Sequence, residues 1–220
     1  NRDFSKILVF SSWEMVPRMI AVMLSYEAER QTIGEYSGGH KKASYTNDVG
    51  VNPLRGDRDI LLFYNNYLRD LYRPEDFYGQ DVSDIRTSLI DSINKRIDEL
   101  GGYVVNGKRF DSEQIIPIAQ WLENGESSEQ EIPSQIVRVL ADMAIASPAI
   151  VLYRRIGNID FQVIEAGHKE GMTLANVIES LVGLFNMRQS VGIMYRLYGD
   201  EQIYFEHVLQ YCVDGNLQSV

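Results

Sequence analysis

The chain has 220 residues, with 21 Lys and Arg against 31 Asp and Glu, for a formal net charge of −10. Its 45 % hydrophobic and 24 % charged content is that of an ordinary globular protein, and a chain of this length buries roughly 70 % of its unfolded surface. The acidic balance excludes a free-standing binder of duplex DNA, which presents a basic face. One cysteine, Cys212, excludes an internal disulfide and fits a reducing, cytoplasmic setting. No apolar run approaches the ~20 residues of a membrane span, and the opening residues do not read as a signal peptide.

In chain order, Lys6 to Phe10 is a continuous apolar run that reads as a strand buried on both faces, as in a parallel α/β sheet. Ser11 and Ser12 follow, then a helix whose apolar face carries Val16, Met19, Ile20, Met23 and Leu24, with Pro17 in its first turn. Residues 1–33 carry four basic and four acidic side chains, so the whole negative excess lies in residues 34–220. A Gly-, Ser- and Asn-rich loop runs from Gly34 to about Arg58. Ser83 is placed to cap a helix carrying Ile85, Leu89, Ile93, Ile97 and Leu100, closed by Gly101 and Gly102.

Tyr103–Val105 and Lys108–Phe110 flank Asn106-Gly107, which predicts a small β-hairpin. The run Glu123 to Glu131 holds four glutamates and no apolar residue, so a mobile solvated loop is expected near 123–133. Ser134 opens a helix with Val137, Leu140 and Ala144 inward, and Thr173 opens the most strongly apolar one, with Leu174, Val177, Ile178, Leu181, Leu184 and Phe185. Ile203, Tyr204, Val208, Tyr211 and Cys212 fit a last helix that stops near Gly215. The chain therefore reads as mainly α: a βα unit over 1–33, and an acidic helical domain over 34–220.

Most candidate chemistry fails on context. Gly102 to Lys108 spells the G-x-x-x-x-G-K string of a phosphate-binding loop, but Arg109 stands where Ser or Thr should hold magnesium, and a helix precedes it instead of a strand. His40, His168 and His207 lack partners at metal-ligand spacing, so no metal site is expected. His207 reads as a surface or half-buried helix residue and Cys212 as a small core residue. No nucleophile-elbow pattern accompanies the serines, so no catalytic residue is assigned. Tyr64, Tyr67, Tyr72, Phe77 and Tyr78, interleaved with Arg69 and Arg73, suit either base stacking or core packing, and the acidic surroundings favour packing.

Three places carry a resemblance. The string Lys6-Ile7-Leu8-Val9-Phe10-Ser11-Ser12-Trp13, running through Met15 to Ile20 into Leu24-Ser25-Tyr26-Glu27-Ala28-Glu29-Arg30, resembles motif IV of helicases, and more narrowly large bacterial helicase-related proteins of the SNF2-like branch of superfamily 2. Ala146-Ser147-Pro148-Ala149 and Cys212 to Val220 look like parts of a long insertion found in that family. The resemblance implies that residues 1–33 belong to the second RecA-like lobe of an ATP-dependent DNA translocase, and that the rest is a helical insertion. It further implies ATP and Mg²⁺ as cofactors of the full-length protein, with DNA and the remaining helicase lobes as partners. Ser11 and Ser12 would donate to a nucleic-acid phosphate, and Trp13 would pack between lobe and insertion. The Walker A loop, the acidic pair and the last-motif arginines of such a motor are not in this chain, so an inactive excised piece is expected. The competing expectation is an acidic helical module that recruits a protein partner.

Overall fold

The computed structural model describes residues 23–24, 53–54, 56–107, 110–156, 174–199 and 202–216. The strand over 6–10, the serines Ser11 and Ser12, and Trp13 lie outside them. Of the expected first amphipathic helix, Met23 and Leu24 are described; both are helical and each is 66 % exposed.

The remainder is mainly helical around one core that runs from Leu54 to Val213. Helix α1 (Arg58–Leu62) buries Ile60 and Leu61. Helix α2 (Asn66–Leu71) is followed by a 3₁₀ turn at Pro74–Phe77. The long α3 (Val82–Glu99) buries Ile85, Leu89, Ile93 and Ile97 on one stripe and turns Asp84, Thr87, Ser88, Asp91, Ser92 and Lys95 outward. Its N-cap is Asp81, so Ser83 falls within the first turn instead of capping it. Gly101 closes the helix at φ 83°.

Strand β1 (Tyr103–Val105) pairs in parallel with β2 (Glu131–Pro133), Val104 opposite Ile132, instead of with the expected hairpin partner, of which Lys108 and Arg109 lie outside the described residues and Phe110 is not in a strand. A parallel pair needs a crossover, and α4 (Ile115–Asn124) supplies it. The acidic stretch is correspondingly shorter as a loop than expected. Glu123 and Asn124 end α4, Gly125 caps it at φ 72°, and residues 131–133 are strand. Between them the chain is tied down: Ser128 N–H donates to Leu100 O at 3.0 Å, and Trp121 Nε1 donates to Ser128 Oγ at 2.9 Å.

Helix α5 (Ser134–Ala146) is the centre. Every residue from Ile136 to Ala146 is buried except Arg138, because α2, α3, α4, α9 (Tyr204–Tyr211) and the following α6 (Pro148–Ile156) all pack on it. Ser147 takes the extended ψ of 130° that a residue before proline prefers, and there the helix breaks. Taken as one stretch, Ser134–Ile156 has 23 residues and a mean hydropathy of 1.7, long and apolar enough to cross a membrane, where the sequence reading found no such run. Inside the fold 78 % of that window is buried, as in the core helix of a folded domain.

Helices α7 (Leu174–Phe185) and α8 (Arg188–Tyr198) precede α9, and a π-helical turn at Cys212–Asn216 ends the described chain. The buried stripe of α7 is Leu174, Ile178 and Val182, while Val177 and Leu184, expected inside, are 38 % and 47 % exposed.

Candidate functional site

The aromatic stretch is satisfied from within. Asn65 accepts from Leu68 N–H at 2.9 Å as the cap of α2, and its amide donates to Ala119 O and to Glu123 Oε2 at 3.1 and 2.7 Å. Arg69 is held by Asp70 at 2.8 Å and donates to the Tyr64 hydroxyl, whose ring lies 4.3 Å from that of Tyr153. The Arg69 hydrogen bond holds the Asp70 carboxyl below its ordinary value. Arg154 lies 5.0 Å over the Tyr72 ring and donates to the backbone oxygens of Ala144 and Arg69; burial pulls its guanidinium down to about 10. Burial also pushes the Tyr67 hydroxyl up to about 12. Most of these rings and cations are internal struts; Arg73 and Tyr78, the latter 95 % exposed, are exceptions. The Gly102–Gly107 string is equally structural: a Cβ on Gly102 would meet Trp121 Cη2 at 2.9 Å, and Tyr103–Val105 is strand, with no helix N-terminus among the described residues of the string to cradle a phosphate.

A second polar system spans α3, α5, α8, α9 and the last turn. Arg86 Nε meets Asp142 Oδ1 at 2.6 Å, and Arg86 Nη2 reaches Gln210 at 3.4 Å. Gln210 in turn donates to Asp214 at 2.6 Å, and Asp214 also accepts from the Tyr198 hydroxyl at 2.7 Å. Beside it opens a cleft of about 160 Å³ lined by Phe110, Arg138, Asp142, Gln202, Glu206 and Gln210. Burial raises the carboxyls of Asp142 and Glu206 above their ordinary values. Arg86 opposes this at Asp142; the backbone N–H of Ile203 and the charge of Arg138 oppose it at Glu206. The arrangement is a half-buried charge network that clamps four helices and a turn.

Cys212 is the core residue it was expected to be, and His207 lies deeper than expected. Cys212 is fully buried and its thiol is pushed up to about 12, so it is core and no nucleophile. His207, expected at or near the surface, is 0 % exposed, and neither ring nitrogen has a hydrogen-bond partner. The ring sits among Tyr198 (5.8 Å, stacked), Tyr195 (5.4 Å, edge-on) and Tyr204 (6.3 Å). The available signal was Tyr195, Tyr198 and Tyr204 preceding His207 at helical spacings across one short turn. Among the described residues no group of three or more His, Cys, Asp or Glu could hold a metal ion.

No family model, curated protein or solved structure matches the chain.

Proposed function

We propose that this chain is a non-catalytic part of an ATP-dependent DNA translocase of the SNF2-like superfamily 2 helicases. Residues 1–33 contribute to the second motor lobe, and the helical body is an insertion carried on it. ATP and Mg²⁺ are bound by the remaining lobes, in the cytoplasm, and the insertion moves as one body when the lobes close and reopen. Ser11 and Ser12 contact a phosphate of the bound DNA, and Trp13 packs between lobe and insertion.

One structural relation supports the insertion reading: α1 and α9, the first and last α-helices of the described helical body, pack directly against each other. Leu54 N–H also donates to Asn186 Oδ1 at 3.3 Å, and Asp57 and Glu206 are close enough for their charges to interact. A body whose first and last described α-helices adjoin suits a place in a loop of another domain, whose ends it need not separate widely. The motif IV-like string supplies the identity of the host.

The test is ATP hydrolysis by the full-length gene product with and without DNA. DNA-stimulated hydrolysis, with none from residues 1–220 alone, is the expected result. A full-length product that hydrolyses no ATP under either condition overturns the reading.

A second reading rests on Val177, Leu184, Ile193 and Leu197, which are 38 to 58 % exposed on α7 and α8 of an acidic body. Such side chains suit a protein-interaction module without motor function. Under that reading, Leu184→Ser with Leu197→Ser removes a co-purifying partner and leaves ATP hydrolysis unchanged.

A further inference from the structure

We propose that His207 is an acid-operated latch: taking up a proton drives its ring out of the tyrosine cage and releases α8 from α9. An imidazolium carries two N–H donors and a positive charge, and both need partners or water. At 0 % exposure, with neither nitrogen closing a hydrogen bond, the site offers no water and, beyond the nearby backbone of Gln202, no polar partner among the described residues.

Among the described residues the surroundings supply no counter-charge. On α8, Tyr195 and Tyr198 present rings, and the Tyr198 hydroxyl is committed to Asp214. On α9 itself, Tyr204 directs its hydroxyl to Phe185 O at 2.6 Å. Glu206 interacts with Arg138 and Asp142 of α5 and with Asp57 ahead of α1, and Arg196 of α8 is exposed. On the last turn, Cys212 is buried and neutral, and Asp214 is taken by Tyr198 and Gln210. Burial is the leading influence on His207 and lowers its proton affinity, the backbone of Gln202 opposing it, and among the described residues no charged side chain adds to either. The tyrosine faces offset only part of the desolvation of an imidazolium.

The sign follows from linkage. With the closed-state affinity below that of a free histidine, the open form binds the extra proton, so acid favours opening. Helix α8 is the element that yields, because its extensive packing is with α9 and α7 and not with the central α5. Gly199 at φ 80° and the turn at Asn186–Met187 bound it on either side.

The test is amide hydrogen exchange of the intact chain between pH 7.5 and 5, corrected for intrinsic rates. Protection of residues 188–211 is expected to fall by up to about tenfold per pH unit below about 6.5, while residues 134–146 keep theirs. His207→Phe, which fills the cage and cannot titrate, abolishes this dependence. Loss of protection that persists in His207→Phe, that spreads equally to 134–146, or that does not occur in the wild type overturns the latch. Should His207→Phe fail to fold, the imidazole Hε1 resonance of wild-type His207 decides: a midpoint well below 6.5 supports the latch, and one at or above 6.5 overturns it. The result is independent of the motor reading, because it concerns the helical body alone.

Discussion

Arg86 and Asp142 meet at 2.6 Å across the contact between α3 and α5, with their side chains 19 % and 12 % exposed. Removing one partner leaves the other charge largely desolvated, whereas removing both leaves an apolar contact. Asp142→Ala is expected to cost about 3 kcal/mol of unfolding free energy, and Arg86→Met with Asp142→Leu less than about 1 kcal/mol. Urea titrations of the two proteins, followed by far-ultraviolet circular dichroism, give both numbers. Equal losses in the single and double variants would show that the pair contributes by packing alone.

Asn65 carries more than a cap. It is fully buried, accepts from Leu68 N–H, and donates to Ala119 O and the Glu123 carboxylate, joining α2 to α4. Asn65→Ala is expected to cost about 2 to 3 kcal/mol, the sum of a lost cap and an under-satisfied carboxylate. Asn65→Asp keeps the cap but sets a second negative charge against Glu123, so its cost is expected to shrink as pH falls through the carboxylate range. Thermal denaturation at pH 4.5 and 7.5 separates the two variants.

Gly102 is required by space. Its Cβ position meets Trp121 Cη2 at 2.9 Å, Ile97 Cγ2 at 3.1 Å and Gln130 O at 3.2 Å. The backbone oxygen cannot move without disturbing the β1–β2 pairing, since Gln130 O accepts from Tyr103 N–H at 2.9 Å. Gly102→Ala is expected to destabilise by about 1 to 3 kcal/mol and to shift the near-ultraviolet signal of Trp121. Gly107→Ala has open space around its Cβ but a φ of 76°, so a smaller loss of about 1 kcal/mol is expected.

The helical period was legible because α3 and α5 bury single-minded stripes: Ile85, Leu89, Ile93 and Ile97 are all core, as are Val137, Leu140 and Ala144. The partner of β1 was not legible. Asn106-Gly107 favours a hairpin locally, and only the packing of α4 under α5 brings β2 alongside β1. Periodicity placed an apolar face on α7 but not its rotation: Val177 and Leu184 sit on the flank of the stripe, next to the buried Ile178 and Val182, and stay exposed. The burial of His207 was hidden for a related reason. A histidine between Glu206 and Val208 has the same pattern at a surface or in a core, and its fate depends on α8 folding back over α9. The Arg86–Asp142 and Asn65–Glu123 pairs join residues more than fifty positions apart, beyond any spacing rule.

In the motor reading Ser11 and Ser12 donate to a phosphate, a contact that positions DNA without reading sequence. Ser11→Ala with Ser12→Ala in the full-length protein is expected to lower DNA stimulation of ATP hydrolysis several-fold and leave DNA-independent hydrolysis unchanged. The same variant should flatten the salt dependence of DNA binding only slightly, because a hydroxyl releases no counter-ion. Unchanged stimulation would remove the serines from the DNA interface.

Glu206 gives the chain a pH dependence of opposite sign to that of His207. Burial raises its carboxyl above the value it has in the unfolded chain, with Asp142 and Asp57 adding repulsion and Arg138 and the Ile203 N–H opposing. A carboxyl raised on folding binds its proton more tightly when folded. Its favourable contribution is therefore complete at pH below the unfolded carboxylate value and is lost as pH rises through the folded value. Glu206→Gln holds the neutral form at every pH. The variant is expected to be more stable than wild type at pH 8, with the difference vanishing near pH 4. Urea midpoints of the two proteins at pH 4, 6 and 8 check this, and a constant difference across the three would assign the effect of Glu206 to packing in the cleft and not to charge.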